Sequence, residues 1–279
     1  MSPDRSSTPR RVVILTGSEL RHTYVRKIIA ADEGIEVVAT YCEGVEQGLR
    51  ARLEKRDRLE WIERAHIDAR DQVERDFFED YVASAEDFSR PRYLAKGAIN
   101  DPEIVDEIKA LNPDLLVCYG SSLIKSDLVE TFAGRFLNVH LGLSPYYRGS
   151  GTNVWALING EPGMVGATFM HIDAGIDTGA IIHQIRARLV VGDSPHTIGT
   201  RLIKDMALAY AQLIRNFDDL ASMEQPEGEG RLYLRKDFTS EACAALYARF
   251  GDGLVQRHLR STGEELVDLV SNPGMEAGA

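Results

Sequence analysis

Two short stretches of the sequence hold polar side chains whose types and spacing could do chemistry together. Asn138 and His140 stand two residues apart at the end of an apolar run, so in a strand both side chains would project from the same face. An amide beside an imidazole offers an oxyanion donor next to a group that handles protons. Further along, Asp177 lies between Gly175 and Gly179, in a loop whose backbone can approach a flat ligand closely. A carboxylate there could orient or charge the imidazole, so the three polar residues, in this order, predict a catalytic site.

Alternating strands and helices are expected to bring these residues to one edge of a sheet. Strands are predicted at 11–18, 35–41, 114–120, 135–140, 165–172, 180–189 and 231–234, and helices at 20–31, 104–111, 126–132 and 194–220. This order predicts an α/β fold in which the sheet begins parallel. Ligands in open parallel sheets bind outside the carboxyl ends of the strands, so Gly17, Gly120 and the Asn138–His140 pair should share one rim.

The distribution of charged residues and of the glycines and prolines that interrupt secondary structure divides the chain into three parts. We predict a disordered leader at 1–10, a catalytic domain at 11–220 and a small C-terminal extension with a frayed tail at 221–279. Within the domain, residues 43–84 are densely charged and lack proline, which predicts a helical insertion on the surface. The favoured interpretation is a solvated surface insertion without a role in the site. The alternatives are a cap over a substrate pocket, with His66 and Arg70 as contacts, or support for a homodimer.

Composition narrows the classes of function. The formal net charge of −11 argues against non-specific nucleic-acid binding, because a phosphate backbone rewards basic surface. Cys42, Cys118 and Cys243 are widely spaced and match neither a zinc site nor a disulfide framework. No apolar run reaches the roughly 18 residues that span a bilayer, and the first ten residues do not resemble a signal peptide. We therefore expect a cytoplasmic protein without a nucleic-acid or membrane partner.

Four short motifs in sequence order carry a resemblance to a known family. They are Asn138-x-His140, Pro145-x-x-Arg148-Gly149, Gly166-Ala167-Thr168 and Ile176-Asp177-Thr178-Gly179. Together they resemble the signature of the folate-dependent formyltransferase superfamily, which includes glycinamide ribonucleotide, methionyl-tRNA and nucleotide-sugar formyltransferases. The resemblance covers about residues 11–190 and is strongest between 135 and 185. It implies an open, mostly parallel, Rossmann-like sheet flanked by helices.

The resemblance also implies an activity and a role for each site residue. A formyl group would move from 10-formyltetrahydrofolate to an amine of a small molecule, without a metal. Asn138 would stabilise the oxyanion, His140 would handle the proton, and Asp177 would orient or charge the imidazole. The folate would contact Tyr119, Gly120, Ser121, Ser122, Leu123, Ile124, Asp173, Ala174, Gly175 and Ile176. The amine substrate would contact Gly17, Ser18, Tyr146, Arg148, Gly149 and Asn153.

Departures from the family pattern bear on the substrate. Glu19 follows the first strand, where it would repel a phosphate, which disfavours glycinamide ribonucleotide. The residues after 220 are few and not strongly basic, which disfavours a tRNA substrate. Arg148-Gly149 followed by Asn153-x-Trp155 is nearest to the sugar-type members, so an amino sugar or sugar nucleotide is the expected acceptor. Gly142 stands where many relatives keep a serine.

Three other functions stay open or are disfavoured. Formyltetrahydrofolate hydrolysis, with water in place of the amine, is one alternative, and a catalytically inactive folate-binding protein is another. A dinucleotide-binding dehydrogenase is the rival at the level of the fold. It is disfavoured because no Gly-x-Gly-x-x-Gly follows the first strand.

Overall fold

A seven-stranded sheet organises the chain in a computed structural model that describes residues 8–44, 50, 60–226, 230–261 and 266–275. Its strand order is β3-β2-β1-β4-β5-β7-β8, and a separate two-stranded sheet pairs β6 with β9. The strands are β1 Arg10–Gly17, β2 Ile35–Glu43, β3 Pro91–Leu94, β4 Leu115–Tyr119, β5 Phe136–His140, β6 Tyr147–Gly149, β7 Gly166–His171, β8 Ile181–Arg186 and β9 Arg231–Tyr233.

Helices cover both faces of the large sheet. They are α1 Leu20–Ala30, α2 Trp61–Ser84, α3 Pro102–Leu111, α4 Ser126–Thr131, α5 Thr152–Ile158, α6 Pro195–Arg215, α7 Ser240–Gly251 and α8 Leu254–Arg260. In the part of the chain that the structure describes, none of the helices is both long and apolar enough to cross a membrane.

The central strands are buried on both sides, which explains their nearly continuous apolar sequence. Val12 and Ile14 of β1 face one core cluster, whereas Val13 and Leu15 face another. β3, β2, β1, β4 and β5 run parallel, and β7 and β8 each pair antiparallel with their neighbour. The prediction of an α/β fold with an open, mostly parallel sheet is confirmed.

The charged segment after β2 contains a long helix that packs on the body of the protein. In α2, Ile67 and Phe78 are buried, and the Phe78 ring stacks on Tyr24 of α1 at a centroid distance of 4.5 Å. The predicted insertion, 43–84, begins at Glu43, which is itself the last residue of β2. Its residues 45–49 and 51–59 lie outside the described residues, so the insertion as a whole stays a prediction.

Two short strands and one helix had no clear signal in the sequence. β3 begins at Pro91 and forms the edge of the large sheet, the position where a strand tolerates proline. β6 has three residues and α5 has seven, which is too short for a periodic pattern. β6, α5 and the three-residue strand β9 lie around the cavity at the end of β5, where the candidate catalytic residues lie.

Candidate active site

The side chains of Asn138, His140 and Asp177 line one cavity of about 650 Å³ along the carboxyl edge of the sheet. β5 carries the first two, and the loop after β7 carries the third. The Nδ1 atom of His140 lies 3.3 Å from Oδ2 of Asp177, and both side chains are largely buried. The three groups therefore meet in a single cleft that is open to solvent.

Both ring nitrogens of His140 face oxygen atoms. Nε2 lies 2.9 Å from the carbonyl oxygen of Tyr147 and 3.2 Å from Oγ1 of Thr152, while Nδ1 faces the carboxylate of Asp177. A carbonyl and a carboxylate accept hydrogen bonds only, so both nitrogens bond fully when each carries a proton. These contacts fix the orientation of the ring.

Gly142 makes room for this arrangement. A Cβ atom at position 142 would lie 2.5 Å from Nε2 of His140 and 2.7 Å from both Oγ1 of Thr152 and the carbonyl oxygen of Tyr147. A serine in this backbone position would therefore collide with the imidazole. The hydroxyl of Thr152 lies beside the imidazole in its place.

Asp177 is held in an unusual backbone conformation. Its φ angle is +54°, a left-handed value that aspartate tolerates better than most residues. The backbone N–H of Gly149 donates to Oδ2 of Asp177 at 2.9 Å. The side chain of Gln225 donates to the carbonyl oxygens of Asp177 and Gly179 at 3.1 and 2.7 Å. The carboxylate is thus fixed from two sides, as pre-organised sites require.

Asn138 is free to bind a ligand. It is half-buried in the middle of β5, and its amide makes no hydrogen bond with any residue that the structure describes. An amide that faces a cavity and is not engaged by the protein can donate to an oxygen atom placed there. This is the property that an oxyanion donor needs.

Most residues predicted for the folate line the same cavity. All of 119–124 do so, as do Asp173, Gly175 and Ile176, whereas Ala174 does not. Leu123 and Ile176 are 72% and 45% exposed, so two large apolar side chains are in contact with solvent beside the cavity. A flat ring system placed between the two loops would cover both.

Glu43 ties the loop after β4 to the neighbouring strand ends. Its fully buried carboxylate accepts hydrogen bonds from the backbone of Ser122 at 2.5 Å and of Gly97 at 2.8 Å, and it pairs with Lys96 at 3.1 Å. Burial alone would raise the pKa of Glu43, but the Ser122 N–H and the Lys96 charge lower it overall. The sequence did not single out Glu43, because only the fold brings its partners together.

Only some of the residues predicted to contact the amine substrate line the cavity. Gly17, Ser18, Gly149 and Asn153 line the cavity, whereas Tyr146 and Arg148 do not. The Nε atom of Arg148 is buried without a partner among the described residues. Their roles toward a substrate stay predictions.

Of the two residues proposed as contacts of a capping insertion, only one lines the cavity. Arg70 lines the cavity and pairs with Asp71 at 2.8 Å. His66 does not line it but lies buried against His196, with a ring-centroid distance of 4.6 Å, and near the hydroxyl of Tyr247. Burial, together with the neighbouring histidine, lowers the pKa of His66 to about 3, and burial lowers that of His196 to about 4. Both rings are neutral at pH 7.

The C-terminal extension supplies a wall of the cavity that sequence reasoning missed. Residues 232–235 line it, because β9 pairs in parallel with β6 beside the candidate catalytic groups. The backbone of Ser150 donates to the carbonyl oxygen of Tyr233 at 2.8 Å, and the Tyr233 ring stacks on Trp155 at 4.6 Å. The only prior signal was the short strand expected near 231–234.

The protein belongs to the class of open α/β sheets that bind a ligand at the carboxyl ends of their strands. In this protein an amide, an imidazole and a carboxylate surround the cleft at that edge. The chain belongs to the formyl transferase family, whose family model matches residues 10–214. The resemblance expected from the four motifs is confirmed.

Curated relatives match part of the chain. A methionyl-tRNA formyltransferase from Synechococcus elongatus is 32% identical over 145 residues, which cover 50% of this chain and 44% of that protein. Another from Clostridioides difficile is 38% identical over 90 residues, or 32% of this chain and 29% of that protein. The matched stretch spans less than half the length of these relatives.

Solved structures share the fold at low identity. A phosphoribosylglycinamide formyltransferase from Anaplasma phagocytophilum has a TM-score of 0.55 at 14% identity, covering 82% of this chain and 100% of that one. A 4-N formyltransferase from Francisella tularensis has a TM-score of 0.54 at 17% identity, covering 86% and 87%. Likeness at this level establishes the fold only.

Proposed function

We propose that this chain is an N-formyltransferase that moves the formyl group of 10-formyltetrahydrofolate to an amine of a small molecule. The observation that carries the proposal is the meeting of Asn138, His140 and Asp177 in one open cleft. Membership of the formyl transferase family supports it. The exposed apolar side chains on the two flanking loops suit the pterin ring of the donor.

The reaction needs one addition and one elimination. The amine nitrogen attacks the formyl carbon, and the carbonyl oxygen becomes an oxyanion. The bond from this carbon to N10 of the folate then breaks, the amine loses one proton, and N10 gains one. The products are a formamide and tetrahydrofolate. The site must therefore stabilise negative charge on the oxygen and move one proton between two nitrogens.

Asn138 meets the first requirement. Its amide donates to the oxyanion, and removing one donor of this kind typically costs about 3–4 kcal/mol of transition-state stabilisation. His140 meets the second requirement: its neutral imidazole takes the proton from the amine and returns it to N10. Asp177 orients the imidazole and stabilises the positive charge that it carries between these two steps.

We propose an amino sugar, free or nucleotide-linked, as the acceptor. Arg148-Gly149 followed by Asn153-x-Trp155 is the sequence feature that favours this class. Glu19 occupies the N-cap position of α1 and its carboxylate pairs with Arg21, so a negative charge of the chain already lies at this helix terminus. A terminal phosphate is therefore disfavoured at this point of the cleft.

Turnover with a panel of amines tests the proposal. The protein is incubated with 10-formyltetrahydrofolate and, separately, with nucleotide-linked 3-amino and 4-amino dideoxyhexoses, free amino sugars, glycinamide ribonucleotide and methionyl-tRNA. Formation of tetrahydrofolate is followed by absorbance, and the gain of one CO unit by the amine is followed by mass spectrometry. We expect turnover with an amino sugar, and Asn138→Ala should lower kcat by about 10²–10³-fold while the protein still binds folate.

Two results would contradict the proposal. Release of formate at the same rate with and without every amine would identify a hydrolase. Equal turnover by the native protein and Asn138→Ala would remove the amide from the chemistry.

A further inference from the structure

His22 is a nearly buried residue of the cavity wall that the proposed chemistry does not use. It lies in the first turn of α1, is 5% exposed, and lines the cavity between the ends of β1 and β4. Its ring packs against Tyr119 at a centroid distance of 5.2 Å.

The hydrogen bonds of the backbone fix the tautomer of His22. The backbone N–H of Glu19 donates to Nδ1 of His22 at 3.2 Å, so Nδ1 must carry a lone pair. Burial lowers the pKa of His22 well below its usual range, and the charges of Arg21 and Lys96 lower it further. A neutral imidazole whose Nδ1 is an acceptor carries its proton on Nε2.

The Nε2–H group of His22 has no partner among the residues that the structure describes. Two glycines leave it uncovered, since a Cβ atom at Gly120 would lie 2.4 Å from Nε2 and a Cβ atom at Gly17 would lie 2.6 Å from the same ring. Any side chain at position 120 would therefore cover the donor. A ligand oxygen that enters the cavity and reaches this N–H gains one neutral hydrogen bond, which contributes about 0.5–1.5 kcal/mol.

We propose that Nε2 of His22 donates a hydrogen bond to an uncharged oxygen, a hydroxyl or a carbonyl, of the amine substrate. This inference rests on the proposed function. With the folate between the loops 119–124 and 173–179, the cleft toward the end of β1 is left for the acceptor. The carboxylate of Glu19 lies 3.7 Å from Nδ1 on the same ring, which disfavours a charged phosphate there.

Two substitutions separate the binding role of His22 from its role in the helix cap. In His22→Asn, the amide oxygen can still accept from the Glu19 N–H, but the donor at the Nε2 position is lost. In His22→Gln, the longer side chain places an N–H near that position, but the cap is weakened. We expect the first variant to raise the KM for the best amine of the panel about threefold to tenfold, the equivalent of one neutral hydrogen bond.

The matched controls complete the kinetic test. In His22→Asn, the KM for 10-formyltetrahydrofolate and the Tm should stay close to the native values. In His22→Gln, the KM for the amine should recover toward the native value while the Tm falls. The proposal is overturned if His22→Asn leaves the KM for the amine unchanged, or if the KM for the folate rises instead.

A spectroscopic test does not depend on turnover, so its failure is distinguishable from failure of the proposed function. Long-range ¹H–¹⁵N spectra of protein labelled at histidine, assigned with the two variants, report which nitrogen of His22 carries the proton. We expect the Nε2–H tautomer, with an Nε2 resonance that shifts on addition of a UDP-linked 4-amino-4,6-dideoxyhexose and stays in place with 5-formyltetrahydrofolate. An Nδ1–H tautomer, a shift with the folate, or no shift of Nε2 when other resonances show that the amino sugar is bound each contradicts the proposal.

Discussion

Asp177→Asn tests whether the carboxylate beside His140 contributes its charge or only its shape. Once His140 has taken the proton of the amine, two unit charges 3.3 Å apart attract each other by about 5 kcal/mol at an effective dielectric constant near 20. The side chains are 8% and 13% exposed, so little of this attraction is lost to water. Part of it is recovered because the amide keeps a dipole and the imidazole can become neutral. A net loss of about 3–4 kcal/mol predicts a kcat lower by about 10²–10³-fold.

The substitution preserves the surroundings, which makes the rate change interpretable. The oxygen of the new amide can still accept from the N–H of Gly149, and asparagine tolerates the left-handed backbone of position 177. Single-turnover rates with saturating folate and amine isolate the chemical step from product release.

A double substitution sharpens the same test. If His140 and Asp177 act as one unit, the variant that combines His140→Gln with Asp177→Asn should be no slower than the slower single variant. A kcat for Asp177→Asn within threefold of the native value would refute the charge argument. Fully additive losses would show that the two residues act separately.

Three further changes test other parts of the structure. Glu43→Gln should raise the KM for 10-formyltetrahydrofolate about tenfold and leave the KM for the amine unchanged, because the loop 120–124 loses a charged acceptor. Equal changes in the two KM values would contradict this role. The lowered pKa of His66 and of His196 means that the unfolded chain takes up protons below about pH 6.5 and the folded chain does not, so stability falls as the pH drops. In urea titrations, His66→Phe should therefore lose about 2 kcal/mol less than the native protein between pH 7 and pH 5, and an equal loss would exclude this histidine as the cause. Gly149→Ala should lower the free energy of unfolding by about 2 kcal/mol, since φ is +93° and a Cβ would lie 2.2 Å from the carbonyl oxygen of Tyr233; an unchanged Tm would show that the strand pair yields easily.

The central strands could be predicted from sequence because burial on both faces leaves an apolar run that few other structures produce. β1 and β4 begin and end within a residue or two of their predicted bounds, and Asn138 and His140 lie in β5 as expected. The meeting of that pair with Asp177 followed from strand periodicity, the rule for ligand sites in open sheets and the family motifs, rather than from any one residue.

What sequence reasoning missed depends on contacts between distant parts of the chain. Glu43 looked like the start of a charged surface segment, yet it is fully buried because Ser122 and Lys96 come from other strand ends. His22 showed no pattern at all, because its importance lies in two glycines that stand 5 and 98 positions away. Local periodicity carries no information about such partners.

The pairing of β9 with β6 also has a consequence for how the protein is made. A ribosome releases the strands of the large sheet, and all of the region matched to the family, before it reaches Tyr233. The emerging chain can collapse around its main core while the ring of Trp155 still lacks its stacking partner and one side of the cleft is missing. Competence to bind substrate should thus arrive late in synthesis, because a chain that ends at residue 214 still lacks that wall of the pocket.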